Sequence, residues 1–316
     1  MAKVALTGAT GFLGSQMAAV FATAGHDVVG LTRTKPDVDL PWACEVVDTN
    51  DANAMEHVLD GCDAVVHAAI ANDFQNLDSQ AAYRAYPGLT SAVTRAATAV
   101  GAQPIYISTD WVMDGVTPRA PETSIGRPLN TYGYLKALGE QVIRDLAPDT
   151  GAIVRIGGVM GRHRLQQNMP RNQDVGFGYF VASLVDSLRS EEPYVVFEGE
   201  GVNLVATPSL ASEIAATISR VIEREATGCF HAVADDAIHR TDLALLVCDV
   251  YGFDRSLIQT GPPDESQRFS EPVPVDTSLD NSRVKEVLGI GAVSVSDLVE
   301  AFQAEEDGNL HPVTPL

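Results

Sequence analysis

The run Thr7-Gly8-Ala9-Thr10-Gly11-Phe12-Leu13-Gly14 constrains the fold more than any other feature, because it joins a β-like segment (Val4 to Thr7) to a helical pattern (Ser15 to Ala24). Gly8 lets the chain turn tightly off a strand, Gly11 lets backbone approach a pyrophosphate, and Gly14 lets helix pack closely on sheet. The N–H groups that open the helix then face the negative charge. Glycines also serve ordinary tight turns, but here strand, turn and helix follow in the order that dinucleotide binding requires. Gly8, Thr10, Gly11, Phe12, Leu13 and Gly14 are therefore the expected contacts to a dinucleotide.

The following residues repeat the strand–helix theme. Strands are expected at 27–32, 45–47, 63–67, 105–107 and 152–156, with helices at 51–59, at 91–100 and following Tyr132. This alternation predicts an α/β fold, a Rossmann-type doubly wound parallel sheet with a smaller C-terminal substrate-binding part. Residues 1–156 form the nucleotide-binding domain, completed by parts of 202–235, where strands are expected at 202–207 and 229–233. Residues 157–201 and 236–304 form the substrate-binding part, with helices at 179–188, 281–288 and 295–304. Residues 161–178 are polar, carry Arg162, Arg164 and Arg171, and read as a mobile loop over a site. Four prolines between Gly261 and Pro274 impose an extended loop, and 305–316 reads as a frayed tail.

Composition narrows the partners. Against 21 basic residues stand 42 acidic ones, a formal charge of −21 that repels phosphate backbones and anionic lipid, so nucleic acid and membrane are poor partners. The start lacks the basic head and long apolar stretch of a secretory signal, which makes a cytoplasmic protein the expectation. Its four cysteines are scattered and its seven histidines lack ligand spacing, so no metal is implied. A homodimer is left open.

The second strand ends in Thr32 and Arg33, with Lys35 nearby, where an acidic residue would suit the free ribose of NAD(H). A guanidinium there suits the 2′-phosphate of NADP(H) instead, the other reading being a solvated basic loop. Asp48, after the third strand, is placed to accept from the adenine amino group.

Tyr132 and Lys136 stand four apart, on one helical face. An ammonium beside the phenol, with an oxidised nicotinamide, is expected to lower its pKa from about 10 toward the working range. In the reductive direction the same phenol donates a proton to the developing alkoxide, and Lys136 also reaches the nicotinamide ribose. Ser108, Thr109, Asp110 and Trp111 follow a strand, at the sheet edge where ligands of such folds gather. Thr109 there can hydrogen-bond a substrate oxygen.

Together, the glycine run, His67-Ala68-Ala69, Ser108-Thr109-Asp110, Pro128-Leu129-Asn130-Thr131-Tyr132-Gly133, Lys136, Gly139-Glu140 and Ser278-Leu279-Asp280 resemble the extended short-chain dehydrogenases. Within them the chain most resembles the dTDP-4-dehydrorhamnose reductase family. The resemblance implies that Thr109, Tyr132 and Lys136 carry the chemistry and that Ala68 and Ala69 border the cofactor. Ser108, Asp110 and Trp111 are expected beside the substrate, and Arg162, Arg164 or Arg171 are the candidates to hold a diphosphate in place of the family's Arg-Pro. The chain departs from the family at three places: Tyr86 replaces an asparagine, Gly157-Gly158 replaces a tryptophan, and Val273-Pro274 replaces Arg-Pro.

The expected activity is NADPH-dependent reduction of a ketone, foremost a nucleotide-linked 4-keto-6-deoxy sugar. A sugar-nucleotide epimerase, a ketoreductase of a non-nucleotide small molecule and a non-catalytic NADP-binding regulatory subunit remain alternatives. A dehydratase is disfavoured, because Trp111 stands where its glutamate would follow Thr109-Asp110.

Overall fold

The computed structural model describes residues 1–49, 51–70, 78–166 and 172–316. The strands are β1 (Lys3–Thr7), β2 (Asp27–Thr32), β3 (Ala43–Val46), β4 (Ala64–His67), β5 (Gln103–Thr109) and β6 (Ala152–Ile156). Beyond these come β7 (Val159–Met160), β8 (Tyr194–Phe197), β9 (Val205–Ala206), β10 (Ser209–Leu210), β11 (Gly228–His231), β12 (Ile238–His239) and β13 (Ile258–Gly261). The helices are α1 (Phe12–Thr23), α2 (Ala52–Leu59), α3 (Ser79–Tyr83), α4 (Leu89–Ala99), α5 (Thr131–Leu146), α6 (Phe180–Arg189), α7 (Ala211–Glu223), α8 (Arg240–Tyr251) and α9 (Val295–Glu305).

Seven strands form one parallel sheet in the order β11-β6-β5-β4-β1-β2-β3. A parallel sheet needs cover on both faces, and the alternation of side chains along each strand supplies two apolar surfaces. Val4, Leu6, Ile105, Ile107 and Val154 meet Met17 and Phe21 of α1 and Ile214 and Ile218 of α7. On the opposite face Ala5, Val29 and Val65 meet Met55 and Leu59 of α2 and Val93 and Ala97 of α4. A second core joins α6, α8 and α9 through Phe180, Leu184, Leu243, Val247, Leu298 and Phe302. β11 adds to β6, so the sheet draws on the chain as far as His231.

Several elements differ from the sequence expectation. The strand expected at 202–207 shrinks to the two-residue β9, which pairs antiparallel with β12. The helix expected from residue 91 runs back to α3 through a π-helical turn, Arg84–Gly88, that absorbs Pro87. The end of the chain does not fray: Thr314 bonds Glu213 of α7 through its N–H (3.0 Å) and its hydroxyl, and Arg220 donates to the Pro315 carbonyl. No helix among the described residues is long and apolar enough to cross a membrane.

Candidate active site

Gly8 adopts φ 73°, and a Cβ there would lie 3.0 Å from the backbone of Ala69. A Cβ on Gly14 would lie 2.0 Å from the Gly8 carbonyl oxygen, so the third glycine lets α1 start directly against the turn. Gly11 occupies the N-cap without a side-chain cap, which leaves the N–H groups of the first turn of α1 to face a ligand. His67 ties the two strands that flank the cradle. The Ala69 N–H donates to Thr7 Oγ1 (3.2 Å), which is also hydrogen-bonded to His67 Nδ1 (2.8 Å). Burial and then the charge of Lys136 lower the His67 pKa to about 3, so the ring is neutral. Ala68 and Ala69 are half-buried at the cradle. At the ends of β2 and β3, Thr32 is half-buried, while Arg33, Lys35 and Asp48 are exposed. Arg33 makes no ion pair among the described residues.

Thr109 ends β5 and caps the short turn Asp110–Val112, accepting from Trp111 N–H at 3.3 Å. Its hydroxyl lies 3.0 Å from Asp110 Oδ1 and hydrogen-bonds Tyr132. Asn130 caps α5 by accepting from Gly133 N–H (2.9 Å), and its amide donates to the Pro272 carbonyl (3.0 Å). A Cβ on Gly133 would lie 2.2 Å from the Trp111 carbonyl oxygen. The Asn-x-Tyr-Gly run therefore lets the helix begin against the Trp111 turn, and that contact carries Tyr132 to Thr109.

Two electrostatic expectations change. Burial, with the carboxylates of Asp110 and Asp174, pushes the Tyr132 pKa up to about 12 rather than down. Lys136 is buried, donates to the Ile107 carbonyl oxygen and sits 4.5 Å from the centre of the Tyr106 ring. Desolvation lowers its pKa to about 7, although the charge of Glu140 opposes that change. Tyr132 is thus held protonated.

Ser108 is committed to the frame of the site, not to its floor. It donates to Glu140 (2.6 Å), which also accepts two bonds from the fully buried Arg155, each 2.8 Å. Arg155 in turn reaches His231 Nε2 (3.3 Å) and the Ser124 carbonyl (3.2 Å). Arg162 is likewise engaged by protein: it forms a two-pronged pair with Asp186 and bonds Glu306 through Nε and Nη2. Its guanidinium fastens the chain end to α6, so a diphosphate would have to compete with two carboxylates for it. Arg164 lies near Glu305, and Arg171 falls outside the described residues.

With this geometry in place, similarity to known proteins identifies the family. The chain matches the family described as RmlD substrate binding domain over residues 2–306. It belongs to that family. RmlD-like proteins are extended short-chain dehydrogenases/reductases, a family of NAD(P)-dependent sugar-nucleotide reductases. The chain is 29% identical over 311 residues to the probable low-salt glycan biosynthesis reductase Agl14 of Haloferax volcanii, covering 95% of this chain and 96% of that one. It is 26% identical over 306 residues to methionine adenosyltransferase 2 subunit beta of Rattus norvegicus, covering 92% and 83%. In fold it is similar to dTDP-4-dehydrorhamnose reductase from Bacillus anthracis in complex with NADP, with TM-score 0.75, 19% identity and coverage of 96% and 99%.

Gly157 and Tyr86 each sit in a defined local environment. A Cβ on Gly157 would lie 2.8 Å from Asp110 Oδ2, so the Asp110 carboxyl occupies space a larger residue would need. Burial raises the Asp110 pKa to about 6, against hydrogen bonds from Thr277 and Thr109. Tyr86 is buried and packs with Ala82, Leu135 and Tyr132. Trp111 stands edge-on both to Tyr132 (6.1 Å between centres) and to Phe269 (5.9 Å). Phe269 comes from the Pro-rich loop, and neither it nor Asp174 was among the candidates read from sequence. Charge and aromaticity inside two polar loops were the available signals.

Proposed function

We propose that the protein reduces a ketone with NADPH, and that the ketone is a nucleotide-linked 4-keto-6-deoxy sugar. The observation that carries this reading is Tyr132, kept protonated and hydrogen-bonded to Thr109 at the carboxyl end of β5, beside the glycine cradle. A phenol in that state is a proton donor, as reduction requires. The exposed Arg33 and Lys35 fit the 2′-phosphate of NADPH, and the open first turn of α1 fits its pyrophosphate. A bound reduced nicotinamide would supply the hydride. Tyr132 passes its hydroxyl proton to the carbonyl oxygen, Thr109 turns its hydroxyl from Asp110 to orient that oxygen, and Lys136, in its protonated form below a pKa of about 7, supplies positive charge under the site.

The test follows nicotinamide absorbance on adding dTDP-4-keto-6-deoxyglucose to the protein with NADPH. Rapid oxidation is expected, with a loss of at least about a hundredfold in Tyr132→Phe at unchanged NADPH affinity. Full turnover in Tyr132→Phe would refute the assignment. NADPH binding without oxidation would favour a non-catalytic subunit instead.

A further inference from the structure

Asp174, in the loop before α6, is one of two acidic groups near Tyr132, with Asp110, to which the proposed reaction assigns no task. The residue keeps exposed surface, but its carboxylate is desolvated against the loop and accepts from the backbone N–H groups of Asp174, Gly176 and Gly178. A Cβ on Gly178 would lie 2.6 Å from Asp174 Oδ2, and one on Gly176 would lie 2.9 Å from the Trp111 ring. The two glycines thus let the loop curl around the carboxylate while lying flat on Trp111, next to Tyr132.

Behind the loop stands Arg240, with none of its surface exposed. Its Nη2 donates to the Asp174 carbonyl (3.0 Å), while Nε and Nη1 lack hydrogen-bond partners among the described residues. The guanidinium lies over the rings of Phe177 (5.1 Å) and Phe180 (5.2 Å). Sealing a cation away with so few bonds is costly. Breaches of local rules of this kind concentrate at functional sites. Here the buried charge also counters the desolvation that would otherwise keep the carboxyl neutral, leaving its pKa at about 6.

We propose that Asp174 is a substrate-binding residue that accepts hydrogen bonds from the hydroxyls of a sugar held beside Tyr132, with Arg240 as the positioning residue that fixes its loop. A carboxylate offers about four acceptor sites, and the three backbone N–H groups leave room for an O–H donor. Asp110, by contrast, is buried and already bonded to Thr109 and Thr277. Negative charge here repels phosphate, so this end of the site takes the sugar ring and the diphosphate lies elsewhere. Trp111 and Phe269 wall the same space with aromatic surface. The assignment rests on the ketone-reductase reading above.

Steady-state kinetics at pH 7.5 with NADPH and dTDP-4-keto-6-deoxyglucose test it. Asp174→Asn is expected to raise KM for the sugar about tenfold, the usual gap between a charged and a neutral acceptor. Its NADPH KM and thermal midpoint stay near wild type. Arg240→Met, which fills the aromatic cage without charge, is expected to raise the same KM with NADPH KM unchanged. An unchanged sugar KM in Asp174→Asn, or a loss confined to kcat, overturns the assignment while wild-type turnover keeps the reductase reading. A wild-type protein that leaves NADPH unoxidised overturns that reading, and this assignment with it. Should Arg240→Met not fold, the Asp174→Asn result alone decides.

Discussion

Glu140 holds the catalytic elements in register, and removing it has a calculable cost. Its carboxylate takes one bond from Ser108, two from Arg155 and one from Arg144. The Arg144 pair is half exposed and contributes little. The Arg155 pair is sealed, with 0% and 2% of the two side chains exposed, so Glu140→Ala leaves a buried guanidinium whose remaining hydrogen-bond partners among the described residues are His231 and the Ser124 carbonyl. Breaking one side of such a pair costs about 3–5 kcal/mol, a large part of the ~5–15 kcal/mol that holds a typical domain folded. Urea unfolding, at a slope of about 3 kcal/mol/M, should show the midpoint falling by about 1–2 M. Replacing both partners, Glu140→Leu with Arg155→Met, should recover most of the loss, because neither charge is then stranded. A single variant within about 1 kcal/mol of wild type would refute the view that this pair is sealed. Glu140 also raises the pKa of Lys136, so Glu140→Gln should move the alkaline limb of kcat/KM to lower pH.

Two further outcomes are expected. Arg33→Ala should weaken NADPH binding about tenfold or more and leave NADH binding nearly unchanged, by fluorescence titration; equal effects on both would sink the 2′-phosphate argument. His231 is neutral in the fold, with its pKa lowered to about 3 by burial and by Arg155, while the unfolded chain takes a proton below its ordinary 6.5. Because the unfolded state binds more protons between those values, this histidine penalises the fold increasingly as pH falls from 6.5 toward 3. His231→Gln should therefore flatten the stability-versus-pH slope by about 1.4 kcal/mol per unit there, and parallel slopes would refute the assignment.

Much of the fold was legible because its rules are local. The glycine run needs only its own turn and helix start, and the strands betray themselves as short apolar segments between turn residues. Helix α7 shows the limit of that signal. Ile214, Ile218, Val221 and Ile222 repeat at helical spacing, a signal weaker than the glycine and Tyr-x-x-x-Lys motifs. The short β9 and the π-helical turn at Pro87 were not legible, since neighbouring elements decide whether a two-residue strand or a widened turn is kept.

Within the site, spacing alone put Tyr132 and Lys136 on one helix, and motif order put Thr109 at a strand end. The tertiary structure alone decided what those groups experience. The Tyr132 pKa rises because packing buries the phenol and then because Asp110 and Asp174 arrive from two other parts of the chain, and Lys136 turns to the Ile107 carbonyl. Arg162 is tied to Asp186 and Glu306, and Arg240 backs Asp174 across 66 residues. The physical reason is range: backbone geometry and periodicity are set within a few residues, whereas desolvation and charge depend on whichever distant groups the packed fold brings near.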